Sequence, residues 1–160
     1  MIKYRKGFTL IELLVVIAII GILSTLAVVA LNSARQRSRD AKRVADIKQI
    51  QTALELGFSD TSGYPLADAV MGSATASVLC KTGAEAAWQD SIASCGGGTI
   101  FMGKIPANVI PNGVDYHYYA DTTTPGLAYQ ILFNLEGDTG ALSAGDNCAN
   151  NHGVVSGSAC

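Results

Sequence analysis

Phe8 to Leu31 is an unbroken apolar run of 24 residues in which Glu12 carries the sole formal charge. A helix needs about 20 such residues to cross the hydrocarbon of a bilayer, so the run is long enough to span. The carboxylate is the anomaly. An ionised acid inside a membrane helix is costly, and such residues commonly have both a partner and a purpose. A plain anchor supplies neither, nor does a secretory signal peptide cut after the small residues near Val28 and Ala30.

The charge pattern divides the rest of the chain. Lys3, Arg5 and Lys6 precede the run, and Arg35, Arg37, Arg39, Lys42, Arg43 and Lys48 follow it. Beyond residue 58 there are nine acids and only two bases, Lys81 and Lys104. A basic neck thus leads into an acidic head, which argues against a nucleic-acid surface on the head. All four cysteines, Cys80, Cys95, Cys148 and Cys160, lie in the head and none forms a C-x-x-C pair. That spacing disfavours a zinc or thioredoxin-like site. Three disulfide pairings are open; neighbours in sequence is the favoured one, and four reduced thiols is the alternative. Disulfides imply an oxidising compartment. The flanking bases alone would put the head in the cytoplasm, because cytoplasmic flanks are normally the more basic. The cysteines point the other way.

Thr9-Leu10-Ile11-Glu12 fits the S/T-x-x-E capping box, which starts a helix right after Gly7. Val44, Ile47, Ile50 and Leu54 recur at three and four residues, an amphipathic stripe. Helix is therefore predicted from Phe8 to Leu56, about 73 Å at 1.5 Å per residue, with Gly57 as its stop. Lys42, Asp46, Arg39 and Asp40 are expected on its solvated face. Thr82-Gly83-Ala84-Glu85 reads as a second capping box before a short helix with Ala84, Ala87, Trp88 and Ile92. From Val114 the pattern changes to strands: Tyr116 and Tyr118, then Leu127 to Leu135, with Asp121 to Gly126 as the turn between them. Ala141 to Ser143 and Val154 to Ser156 are further candidate strands. The fold class is α+β, a long N-terminal helix packed on a small antiparallel sheet.

Lys6-Gly7-Phe8-Thr9-Leu10-Ile11-Glu12 followed by the apolar run resembles the class III signal of type IV pilins and type II secretion pseudopilins. "ALELGFSDTSGYP" (residues 53 to 65) resembles the end of the stem helix in the same family. The resemblance implies cleavage by a prepilin peptidase between Gly7 and Phe8, N-methylation of Phe8, and retention of the apolar helix. It gives Glu12 an assembly role, pairing with the Phe8 amine of an adjacent subunit. It further implies a homo-oligomeric filament, either a pilus or a secretion pseudopilus, built with an inner-membrane platform protein and an assembly ATPase. The Cys148 to Cys160 segment resembles the C-terminal disulfide loop of many pilins. The family's helix-softening proline is absent here, since no proline precedes Pro65.

The organisation expected is a leader at 1–7, a membrane and assembly helix at 8–31, an amphipathic stem at 32–57 and a head at 58–160. The basic neck suits lipid headgroups before assembly or acidic heads of neighbours in a filament. DNA fits less well, as no aromatics interleave with the bases. Glu136, Asp138 and Asp146 resemble part of the calcium-binding loop of major pseudopilins without its full pattern, so calcium is a secondary expectation. His117, His152 and an Asp146–Cys148–His152 grouping show no catalytic or metal spacing, and no enzymatic activity is expected. A secreted domain behind a cleaved signal peptide and a filament-tip adhesin are the competing readings.

Overall fold

The computed structural model describes residues 7–108, 115–158 and 160. The leader bases and Val114, where the strand region was expected to open, lie outside them. Two compact units are present, 1–36 and 37–160. Helix α1 (Leu10–Thr61) begins in the first and ends in the second.

From residue 10 to 31, α1 is apolar on every side save for Glu12, and wholly exposed. Its most apolar 18-residue window has a mean hydropathy of 3.0 with none of it buried. A helix apolar all round belongs in lipid or against other helices.

The second unit is built on an antiparallel five-stranded sheet in the order β1-β5-β6-β7-β8. Its strands are β1 (Ala69–Val70), β5 (His117–Ala120), β6 (Tyr129–Leu135), β7 (Gly145–Asn150) and β8 (Gly153–Ser156). A three-stranded sheet, β3-β2-β4, comprises β2 (Val78–Thr82), β3 (Glu85–Gln89) and β4 (Ile100–Met102). Strand β6 alternates strictly, burying Tyr129, Ile131, Phe133 and Leu135. These pack with Ile47, Ile50, Ala53 and Leu54 of α1 in one hydrophobic core, as the stripe predicted. Tyrosines tie the layers together. Tyr129 lies 4.7 Å from Tyr64 and 5.8 Å from Tyr118, ring to ring, and Trp88 meets Tyr118 edge-on at 4.9 Å. The Tyr118 hydroxyl donates to the Pro65 carbonyl at 2.8 Å and that of Tyr64 to Glu55 at 2.8 Å.

Several expectations change. The helix does not stop at Gly57. That glycine is buried inside it, and a Cβ there would meet the Ala86 Cβ and the Phe101 ring at 3.4 Å. It lies in a packed helix face and does not terminate the helix. The stop is Ser62, at φ 59°, whose N–H donates to the Phe58 carbonyl at 2.7 Å; a left-handed residue ends a helix wherever it falls. The expected helix after Thr82 is a β-hairpin, with Thr82 opposite Glu85 and Gly83 at φ +65°. Ala86 and Trp88 are buried on one face at period two, and Ile92–Cys95 forms only a 3-10 turn. The hairpin from β5 to β6 is as expected, although Leu127 stays outside it and exposed. Ala141–Ser143 makes one isolated bridge, Thr139 to Leu142, instead of a strand. The Cys148 to Cys160 segment is largely the β7–β8 hairpin.

Candidate functional site

The start of α1 is organised by two side chains. Thr9 donates from its backbone N–H to Glu12 Oε2 at 2.8 Å and from Oγ1 to the same oxygen at 2.6 Å. The Glu12 N–H donates back to Thr9 Oγ1 at 3.3 Å. This reciprocal capping box satisfies N–H groups that a helix start otherwise leaves without partners. Gly7 and Phe8 lie just before the helix, with nothing within 4 Å of the position a Gly7 Cβ would take and Phe8 84% exposed. Phe8 and Glu12 are four residues apart, the spacing that puts two positions on one helix face. The carboxylate is the only formal charge in a surface of exposed Leu, Ile and Val side chains.

A second charged arrangement sits where the head's core begins along α1. Arg43 is fully buried, and its Nη1 donates to Asp40 at 2.7 Å and lies 2.9 Å from Glu136. Arg39 grips Glu136 through two nitrogens, at 2.7 and 2.6 Å, the planar two-point geometry at which guanidinium excels. Asp40, 1% exposed, accepts the N–H groups of Glu136 and Gly137 at 3.0 and 2.9 Å. Hydrogen bonds from Arg39 above all hold the Glu136 carboxyl down to about 2. The two arginines therefore clamp the turn after β6 onto the helix. Arg39 and Asp40 do not form the solvated face that the sequence predicted. Asp46 departs from it too. It is buried with its carboxylate 3.3 Å from the Tyr116 hydroxyl, and burial pushes its carboxyl up.

The structure places the other candidates separately. Cys80 is joined to Cys95 and Cys148 to Cys160, with Cα separations of 6.0 and 5.7 Å. Cys148 is thus no thiol beside Asp146 and His152. Of the three suggested calcium ligands, Glu136 serves the arginines, Asp138 accepts the Ala144 N–H at 2.9 Å, and Asp146 accepts from Asn134 at 3.1 Å. Among the described residues no group of three or more His, Cys, Asp or Glu side chains is arranged to hold a metal.

A long N-terminal apolar helix joined to antiparallel sheets is an α+β architecture of the pilin-like class. Residues 2–28 match the prokaryotic N-terminal methylation motif. The chain is 34% identical over 70 residues to the type II secretion system core protein G of Dickeya chrysanthemi, covering 44% of this chain and 46% of that protein. It is 40% identical over 68 residues to the protein of the same name from Vibrio cholerae serotype O1, covering 41% and 47%. With the type IV major fimbrial protein FimA of Dichelobacter nodosus it shares 37% over 79 residues, 49% of each. Each match spans less than half of the relative's length. No solved structure matches the chain. In its N-terminal motif and in these relatives the chain is similar to type IV pilins and type II secretion pseudopilins.

Proposed function

We propose that this chain is a structural subunit that polymerises through its N-terminal helix into a type IV pilus-like filament. A prepilin peptidase cuts between Gly7 and Phe8 and the new amine at Phe8 is methylated. The helix is kept and anchors the subunit in the membrane, with the head on the far side from the cytoplasm. The two disulfides favour that side, since such bonds persist in oxidising compartments.

The observation that carries this reading is a carboxylate in the first turn of α1, whose residues up to 31 are otherwise apolar and exposed all round. Among the described residues, Thr9 is the hydrogen-bond partner of the Glu12 carboxylate. Cleavage places an ammonium one turn away, and in a medium of low dielectric opposite charges attract strongly while each is costly alone. A subunit joining a growing filament pairs the Glu12 carboxylate with the Phe8 amine of a neighbour. The contact favours association and fixes axial register. The apolar surface around it then packs against other copies instead of lipid. A platform protein and an assembly ATPase are the partners this process requires, with lipid as the partner beforehand.

The secretion pseudopilus is the second reading, favoured by relatives named as type II secretion system core protein G. Both readings share the assembly step and are tested together. Glu12→Ala should abolish sheared or cross-linked polymer while the full-length chain still accumulates in the membrane. Polymer at undiminished yield would refute the assembly role.

A further inference from the structure

The stem part of α1 has a charge order of its own. One side of it packs in the head's core through Ile47, Ile50, Ala53 and Leu54. The other side is open. It carries Arg37, Lys42 and Lys48, all exposed, and further along Glu55 and Asp60, exposed as well. The acids that fall among the bases, Asp40 and Asp46, are buried, and no base follows Lys48 in the helix. The open side is therefore positive first and negative last.

Helical spacing sorts these charges into two flanks. Arg37 and Glu55 are 18 residues apart, five full turns, so they fall on one line, with Lys48 close to it. Lys42 and Asp60 are also 18 residues apart and fall on a second line, about 140° away across the open side. Each flank has its base before its acid. Among the described residues Arg37, Lys42 and Lys48 enter no ion pair. Glu55 accepts the Tyr64 hydroxyl at 2.8 Å and has no cation beside it, whereas Asp60 has Lys81 at 3.2 Å.

Lys42 and Glu55 do not meet within one chain, since they lie on different flanks and about 20 Å apart along the axis. Two parallel copies shifted by that distance bring them together, and copies that span one membrane in the same sense are parallel. Copies at equal height would set base beside base, and like charges facing each other suppress such a register. A staggered head-to-tail contact does not close on itself and so repeats along a filament. The sense of the stagger agrees with the pairing of Phe8 and Glu12, in which the cation again precedes the anion along the chain. We propose that Lys42 of one copy pairs with Glu55 of a copy displaced by about 20 Å, a stem-to-stem contact that sets axial register. The inference rests on the filament reading above.

The test places Lys42→Cys and Glu55→Cys in separate full-length copies, co-expressed in cells that assemble the polymer. All four native cysteines are in disulfides, so the new thiols report alone. A short bifunctional maleimide is used, because an ion pair holds backbones further apart than a disulfide allows. Sheared polymer should yield the mixed cross-linked dimer, and either copy expressed alone should yield none. Lys42→Glu should lower polymer yield by about tenfold or more, and adding Glu55→Lys to the same chain should restore it. Glu55→Gln, which keeps an acceptor for Tyr64, carries the rescue if Glu55→Lys lowers the thermal midpoint, and should restore part of the yield. Cross-linking of either copy with itself, no mixed dimer, undiminished polymer from Lys42→Glu, or no rescue each overturns the contact. Glu12→Ala that still blocks polymer in the same cells leaves the assembly reading standing, whereas a wild-type chain that forms no polymer overturns both.

Discussion

Asp40→Ala removes the acceptor that joins helix α1 to the turn after β6. Asp40 takes two backbone N–H groups, from Glu136 and Gly137, and a guanidinium hydrogen of the fully buried Arg43. Each buried donor left unsatisfied costs about 1–3 kcal/mol, and breaking a buried ion pair from one side costs about 3–5 kcal/mol. Arg43 keeps Glu136 at 2.9 Å and Asn108 Oδ1 at 2.9 Å, which holds the total near the lower end. We therefore expect a loss of about 3 kcal/mol, a large share of the 5–15 kcal/mol typical of a domain. Urea unfolding followed by Trp88 fluorescence measures it, since Trp88 is buried against Tyr118 in the same head. Lys42→Ala, at an exposed neighbouring position, is the control and should change stability by less than about 0.5 kcal/mol. A loss below about 1 kcal/mol for Asp40→Ala would mean that the clamp is a surface ion pair, and the reasoning from burial would fail.

Acid should weaken the same clamp within a defined window. The Glu136 carboxyl is depressed from 4.5 to about 2 in the fold, so its contribution is fully present above about 4.5 and lost as pH falls through about 2; Glu136→Gln should flatten the urea midpoint across that interval. Gly57→Ala should raise stability by up to about 1 kcal/mol, because Ala is the better helix former and its Cβ would sit at ordinary contact distance from Ala86 and Phe101. A drop in thermal midpoint for that variant would show the packing to be tighter than 3.4 Å implies. Replacing Cys80 and Cys95 by Ser opens a loop with a sequence separation of 15 and should cost about 3 kcal/mol in chemical unfolding.

The sequence was most legible where one rule acts alone. The apolar run, the capping box of Thr9 and Glu12, and the stripe of Ile47, Ile50 and Leu54 each depend on local chemistry, and the structure keeps all three. It misled where one pattern serves two ends. Thr82-Gly83-Ala84-Glu85 satisfies a capping-box template, yet Gly83 at φ +65° closes a two-residue hairpin turn, and the later Trp88 is buried through strand alternation. Gly57 likewise sits buried inside the helix instead of at its end. The arginine clamp did leave a trace. Continuing the three-and-four spacing back from Ile47 lands on Arg43 and Asp40, both buried. Charge disguised them as surface, because their partner Glu136 lies 97 residues from Arg39 along the chain. The outer-face row of Tyr119, Gln130 and Asn150 had no local signature either, because strand register across β5, β6 and β7 sets it and register emerges only when the sheet forms.

Intact mass and N-terminal sequencing of the mature protein, isolated from the cell envelope, reach the central claim most directly. The account predicts a chain that begins at N-methylated Phe8 and retains Glu12 with the whole apolar helix. A chain that begins at Leu31, or one that still carries Gly7, would contradict it.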